Sequence, residues 1–413
     1  MRALHLATRL AGTDGVSLEA AKVARVLSEH GFDPVLCAGE VDDREAIHLP
    51  EMHFRDPEAV RLGQRAFESD RRDASLDAAL EEGADRLAER LQQVVEQVSP
   101  DLLVIQNAWA IPMQLPLAGA LARVADASGL PTLSHEHDYA WERERFARNR
   151  IPDWLQRYFP WDGPKVRHLA INSLAADSLR EHRGLTATVV PNVMDFAAPS
   201  PAPDERAKIR TEVRAALGLK PDQRLILQPT RVIPRKGIEL AIELLGRLRD
   251  PRNVLVISHA SGDEGSETLT TLQAQAAAAN VDLRYEGERF APTREPGRFS
   301  LDDAYVAADF VTYPSLYEGF GNALLETIVH RHAALVNRYP VYVSDIAPTG
   351  VRFVELDGDV TNAAAAEVDR LLDDPAAREA MAEHNRTVAA RAFGMPALRA
   401  ALEGPLRSLG AIS

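Results

Sequence analysis

Tyr313-Pro-Ser-Leu-Tyr-Glu318-Gly-Phe-Gly-Asn-Ala-Leu-Leu-Glu326 is the stretch from which the fold can be read. An apolar run at residues 309–313 ends in a Pro/Ser turn, glycines then open a helix at 322–330, and another apolar run follows at 334–337. Strand, helix and strand in that order predict parallel pairing through a crossover helix. The glycines matter chemically as well, because backbone N–H groups at a helix start can approach an anionic ligand with no side chain in the way. Glu318 falls in the turn and Glu326 lies a helical turn or slightly more into the helix, so the carboxylates address different parts of one elongated ligand and do not share a proton.

The same alternation extends in both directions. Upstream of the quoted stretch, strands are expected at 225–227, 254–258 and 282–285, with helices at 237–248 and 269–279. The first half of the chain reads alike, with strands at 3–8, 34–38, 102–106 and 132–135. Its helices run from about Ser17, where Ala20, Val23, Ala24 and Leu27 recur at helical spacing, and at 76–98 and 117–127. Between the halves, Pro199, Pro201 and Pro203 give residues 197–204 a linker composition. An alanine-rich, charged helical tail is expected over roughly 375–406.

A length of 413 residues is too much for one ordinary core and suits two α/β domains. The net charge of -14 disfavours a generic nucleic-acid or anionic-membrane binder, so an anionic ligand needs a local cluster of cations. That cluster is present as Arg231-Val-Ile-Pro-Arg-Lys236-Gly237, directly after the strand at 225–227. Arginine offers phosphate a planar fork and lysine a compact point charge, and Arg235 between them reads as a solvated neighbour. Cys37 is the single cysteine, which excludes an intramolecular disulfide and a cysteine-based zinc site. The first residues lack the apolar core of a signal peptide, and the stretch at 102–121 is interrupted by Gln106, Asn107, Pro112, Gln114 and Pro116. A cytoplasmic protein without integral membrane association is expected, and the sequence sets no oligomeric state.

These residues resemble the retaining glycosyltransferases of family 4, and the resemblance covers most of the chain. The family's E-x7-E signature is similar to Glu318 and Glu326, its Arg-x4-Lys-Gly pattern to Arg231, Lys236 and Gly237, its Pro-Asn-x-x-Asp element to Pro191, Asn192 and Asp195, and its Pro-x5-His-Asp element to Pro131, His137 and Asp138. The resemblance implies the GT-B fold: two Rossmann-like, doubly wound parallel-sheet domains facing a central cleft. The expected boundaries are 1–197 for an acceptor-side domain, 198–385 for a donor-binding domain, and 386–413 for a tail packing back towards the first domain.

By the same resemblance, Arg231 and Lys236 hold the donor diphosphate, Glu318 the hydroxyls of the donor sugar, and Glu326 the nucleotide ribose. Gly319, Phe320, Gly321 and Asn322 are expected at the donor, with Gly319 to Gly321 giving backbone contacts. Gly12 and Gly15 resemble the glycine-rich loop after the first strand, and His137 is expected near the reacting sugar. The donor is a UDP- or GDP-sugar and the acceptor a small polar molecule or carbohydrate, with no cofactor or metal required. The chain departs from the family at Val193, at His259-Ala-Ser-Gly262, and after the 322–330 helix, where Asn337-Arg338-Tyr339 stands near a usual Gly-x-Pro.

The implied chemistry is hexosyl transfer in which fixed cations stabilise the departing diphosphate. With no carboxylate placed as a nucleophile, same-face attack by the acceptor hydroxyl, assisted by the leaving phosphate oxygen, is expected. Rival readings are a sugar phosphorylase on the same fold and a metal-dependent hydrolase using His135 and His137, which share a face at a strand end. The aromatic, net-basic segment at 141–168 reads as an acceptor lid slightly ahead of a packed excursion, with a peripheral membrane contact as a third reading, weaker because its basic residues are mixed with acids. His330 and His332 read as a solvated helix end.

Overall fold

Ala3, Leu4, Leu6 and Ala7 are almost wholly buried, because their strand lies in the middle of a sheet covered on both faces. The computed structural model describes residues 1–12, 14–69, 74–260 and 266–412. Its contacts divide into one unit of Met1–Val193 with Met395–Ser413 and a second of Met194–Gly394.

In the first unit the strands are β1 (Arg2–Ala7), β2 (Asp33–Ala38), β3 (Ile47–His48), β4 (Leu102–Gln106), β5 (Thr132–Glu136), β6 (Val166–Ala170) and β7 (Ala187–Val189). They form a parallel sheet in the order β3-β2-β1-β4-β5-β6-β7. One face packs Leu4, Leu6, Leu103 and Ile105 against Leu80 and Leu91 of helix Ala74–Val98 and Leu117 and Leu121 of helix Leu115–Ser128. The other packs Ala3, Leu102, Val104 and Leu133 against Val23, Val26 and Leu27 of helix Gly15–Glu29 and against Leu398, Leu402 and Leu406 of helix Met395–Ser408.

The second unit carries β8 (Arg224–Gln228), β9 (Asn253–Ile257), β10 (Asp282–Tyr285), the short pair β11 (Phe290–Ala291) and β12 (Phe299–Ser300), then β13 (Phe310–Tyr313), β14 (Ala334–Asn337) and β15 (Val354–Leu356). The main sheet is parallel in the order β10-β9-β8-β13-β14-β15. β8 and β13 are therefore neighbours, with Phe310 opposite Ile226 and Val311 opposite Leu227. The loops leaving their C-terminal ends lie side by side, although more than 80 residues separate them in sequence (|i−j| = 82 for Lys236 and Glu318).

Three differences from the sequence reading have physical causes. The proline-rich stretch leads directly into helix Pro203–Ala216, which buries Ile209 and Val213; Pro203 is at the first helical position, where a missing N–H costs nothing. The tail is two helices, Pro375–Ala392 and Met395–Ser408, separated at Phe393 and Gly394. The first belongs to the second unit and the other to the first, and the units meet at Val193/Met194 where the sequence reading put 197/198. No helix among the described residues is long and apolar enough to cross a membrane.

Candidate active site

The loop after β8 turns sharply through Pro234–Lys236 into helix Ile238–Leu248, and Gly237 makes that turn with a φ of +59°. A Cβ on Gly237 would lie 2.3 Å from the carbonyl oxygen of Pro314, so only glycine lets this loop approach the one after β13. The two loops are stitched together. Leu316 N–H donates to the Arg235 carbonyl at 2.9 Å, and Arg235 Nη1 donates to the Tyr317 carbonyl at 3.0 Å.

Glu318 ends this stitching. Its Oε2 accepts from Arg235 Nη1 at 3.0 Å and its Oε1 accepts from Lys236 Nζ. Glu318 is 6% exposed and Lys236 9%, so the pair is desolvated. Burial alone would raise the Glu318 carboxyl, but the Lys236 and Arg235 charges outweigh it and hold the group below its ordinary range, ionised at neutral pH. Burial pulls the Lys236 ammonium down, against the attraction of Glu318. Arg235 is exposed, as expected of a solvated neighbour, and it also fixes the outer oxygen of Glu318, which the sequence did not reveal.

Arg231 opens the same loop, is exposed, and makes no ion pair among the described residues. Its charge and that of Lys236 reach His259 beyond β9, whose imidazole is lowered to about 4 by burial first and then by these cations. Arg231, Lys236 and His259 therefore converge at the C-terminal ends of β8 and β9, where open α/β sheets bind ligands. Ser261 and Gly262 lie outside the described residues.

Beyond Glu318 the chain runs through Gly319, Phe320 and Gly321 into helix Asn322–Val329. Gly321 has a φ of +121°, and a Cβ there would meet the Tyr339 hydroxyl at 2.4 Å. Glu326, on that helix, accepts from the Tyr305 hydroxyl through Oε2 at 3.3 Å. Glu318 and Glu326 thus have separate partners.

Other expected site residues lie in the first unit. His137 follows β5, its N–H donates to Asn107 Oδ1 at 2.9 Å, and burial followed by the charge of Lys22 lowers its imidazole to about 4. Gly12 N–H donates to Asp42 Oδ2 at 2.5 Å. Gly15 begins a helix whose first N–H groups are capped by Asp14, which accepts from Val16 and Ser17 at 3.1 and 3.2 Å. That carboxylate fills the place an anionic ligand would take at this helix start. Thr13, in the same loop, lies outside the described residues.

A family model described as Glycosyl transferases group 1 matches residues 209–388, which contain the stitched loops. The chain is 31% identical to the mannosylglucosylglycerate synthase of Thermotoga maritima over 93% of this chain and 95% of that protein. The chain belongs to the group 1 glycosyl transferases. It is also 30% identical to the mannosylglucosylglycerate synthase of Petrotoga mobilis, over 84% of this chain and 85% of that one. The solved sucrose-phosphate synthase from Thermosynechococcus elongatus superposes with a TM-score of 0.70 at 15% identity, covering 100% of both chains, a likeness of fold that places the architecture in the GT-B class.

For a glycosyltransferase of this family the remaining sequence expectations sort clearly. The rings of His135 and His137 lie with centroids 4.5 Å apart and tilted by 48°, and His135 Nδ1 faces Gln106 Oε1 at 3.1 Å. Among the described residues no group of three or more His, Cys, Asp or Glu could hold a metal ion. The aromatic segment is mostly core: Phe146, Trp154, Tyr158 and Phe159 are buried, and Trp141 is stacked between Tyr139 and His182 at 4.6 and 4.7 Å. A lid built from exposed aromatics is therefore set aside. His332 is 6% exposed and faces the Tyr305 carbonyl through Nε2 at 2.8 Å, while His330 stacks on the Tyr305 ring at 4.5 Å and pairs with Asp302 at 3.0 Å. They form a packed cluster, not a solvated helix end.

Two polar groups escaped the sequence reading. Glu19 and Lys22 look like an ordinary i,i+3 surface pair, yet Glu19 is 2% exposed and Lys22 Nζ donates to Glu19 Oε1 at 2.6 Å and to the Val193 carbonyl at 2.5 Å. Glu136 at the end of β5 accepts from His168 Nδ1 at 2.6 Å, from Ser134 Oγ at 2.8 Å and from the Tyr139 hydroxyl at 3.2 Å. Only the pair His135 and His137, flanking Glu136 at a strand end, hinted at the first-unit cluster, and nothing in the sequence linked it to His168.

Proposed function

We propose that this glycosyltransferase moves a hexosyl group from a nucleotide-diphosphate sugar to a hydroxyl of a small polar acceptor with retention of configuration. The observation that carries the proposal is the desolvated Lys236–Glu318 pair, with the exposed Arg235 on its outer oxygen and Arg231 opening the same loop. Arg231 and Lys236 hold the diphosphate, Glu318 accepts hydrogen bonds from the donor sugar, and Glu326 accepts from the ribose. With one oxygen tied to Lys236 and the other to Arg235, Glu318 is suited to orient hydroxyls and poorly placed to attack carbon. The acceptor oxygen therefore forms its bond to the anomeric carbon on the face the phosphate leaves. The bond from that carbon to the phosphate oxygen breaks, and the acceptor proton passes to that oxygen. Growing charge on the diphosphate is met by fixed cations, the kind of preorganised stabilisation that dominates many enzyme rates.

The name mannosylglucosylglycerate synthase, carried by two relatives, supports a mannosyl group as the transferred sugar and a glucosylglycerate-type acceptor, bearing a carboxylate. The test is a thermal-shift panel of nucleoside diphosphates and sugar nucleotides in the presence of EDTA, since a ligand that binds the folded state raises the melting temperature. GDP-mannose with glucosylglycerate is then assayed by mass spectrometry for the mannosylated product, a disaccharide linked to glycerate. Stabilisation by a nucleoside diphosphate and product formation in EDTA are expected. A chain that ignores every nucleotide and instead consumes orthophosphate or needs added metal would overturn the proposal.

A further inference from the structure

The turn Glu318–Gly321 is held from below as well as from the β8 side. Tyr339, just beyond β14, is 1% exposed, and its hydroxyl donates to the Phe320 carbonyl at 2.8 Å. Its ring meets that of Tyr313 edge-on, with centroids 6.2 Å apart. Its loop is pinned in turn by Asn337, whose Nδ2 donates to the Ser315 carbonyl at 3.2 Å and whose Oδ1 accepts from Gly358 N–H at 2.8 Å. Burial, together with the charge of Glu318, keeps the Tyr339 phenol protonated and hence a donor.

A trans peptide points its C=O and its N–H in opposite directions. The Phe320 carbonyl and the Gly321 N–H belong to one peptide unit, so an anchor on the carbonyl aims the N–H away from Tyr339. Gly321 is buried, and its N–H makes no hydrogen bond among the described residues. The positive φ of Gly321 and the close approach of the hydroxyl to its missing Cβ leave this peptide a single seat. We infer that Tyr339 is a positioning residue of the donor site, whose hydroxyl turns the Phe320–Gly321 peptide so that the Gly321 N–H is presented to an oxygen of the donor diphosphate. This rests on the donor reading above. A neutral donor fixed where charge grows as the glycosyl bond breaks strengthens in the transition state, so its loss lowers kcat more than it raises KM.

The experiment compares wild type, Tyr339→Phe and Tyr342→Phe with GDP-mannose and UDP-sugars. Tyr342 is a neighbouring tyrosine whose hydroxyl donates to Glu355 at 2.6 Å and has no bond to the turn. Tyr339→Phe is expected to lose roughly tenfold in kcat, the scale of one net hydrogen bond, with donor KM changed less than about threefold. Its melting temperature should fall by only a few degrees, the scale of one buried carbonyl left without its donor, and Tyr342→Phe should keep full kcat. Amide exchange in the peptide covering Glu318 to Leu324 should quicken in Tyr339→Phe and lose its protection by bound nucleoside diphosphate. An active wild type with an equally active Tyr339→Phe, or an equal loss in Tyr342→Phe, overturns the inference alone. A wild type inert with every nucleotide sugar overturns the donor reading and the inference with it.

Discussion

Arg235 and Glu318 meet at 3.0 Å across two loops of the second unit, and that contact fixes the outer oxygen of a carboxylate whose inner oxygen belongs to Lys236. The guanidinium also donates to the Tyr317 carbonyl at 3.0 Å, so one side chain sets both the position and the tilt of the glutamate. Arg235→Ala should therefore lower kcat/KM by about 10- to 100-fold, the scale of a hydrogen bond to a charged group. Arg235→Lys should recover part of this, since Nη1 alone donates to both acceptors and an ammonium carries enough N–H groups to do the same, though on a more flexible and more strongly hydrated side chain. Steady-state kinetics with varied donor check it, and full activity in Arg235→Ala would remove Arg235 from the site.

Arg231 and Lys236 separate by their effects on the fold. Arg231 is exposed, so Arg231→Ala should leave the melting temperature nearly unchanged while turnover falls by about 10²-fold or more. Lys236→Ala leaves a buried carboxylate short of one partner and should also cost about 1–3 kcal/mol of stability. Calorimetry beside activity assays distinguishes them; equal stability losses in the two variants would contradict the burial difference.

Acid should loosen the fold before the carboxylates of most proteins titrate. His5 and His137 are held near 4 and His332 near 3, mainly by burial, against an ordinary value of 6.5. Between those values the unfolded chain binds more protons than the native one, so the stability is fully present above pH 6.5 and is lost as pH falls towards 4. A melting temperature that declines steadily from pH 6.5 to 4 is expected, with a shallower decline in His332→Asn. A flat profile over that range would show that these imidazoles are not buried neutral.

On the alkaline side the sign reverses. Burial opposes the charge on His168, but Glu136 and Asp162 outweigh it and raise the imidazole to about 9. The native state then holds a proton the unfolded chain has released, so this contribution is complete below pH 6.5 and disappears as pH rises through about 9. His168→Gln should be less stable at pH 6 and should show a weaker loss of stability between pH 7 and 9. An unchanged slope in the variant would exclude His168 as its source.

The residues of the proposed donor site could be noticed in the sequence because parallel α/β sheets put ligand-binding residues in strand-end loops, and those loops carry glycines and cations in short, recognisable runs. Arg231, Lys236, Glu318 and Glu326 needed only their own neighbours in sequence to be noticed. The contact of Arg235 with Glu318 was not legible because it lies in geometry: the adjacency of β8 and β13 brings an exposed cation onto the carboxylate. β6, with Arg167 and His168 inside it, and the three-residue β15 gave no apolar run to recognise. Helix Pro203–Ala216 hid behind prolines that read as a linker, and the burial of Glu19 and His332 comes from tertiary packing that local spacing does not encode.

The last helix has a consequence for how the molecule is made. Leu398, Leu402 and Leu406 complete one face of a core begun by Ala3, so the opening unit stays unfinished until synthesis has passed residue 406. The second unit, encoded wholly between the two parts of the first, is available to fold earlier on the ribosome. A premature stop near residue 394 would thus spare the Arg231–Glu318 cluster and expose the sheet of Ala3, Val104 and Leu133 to aggregation.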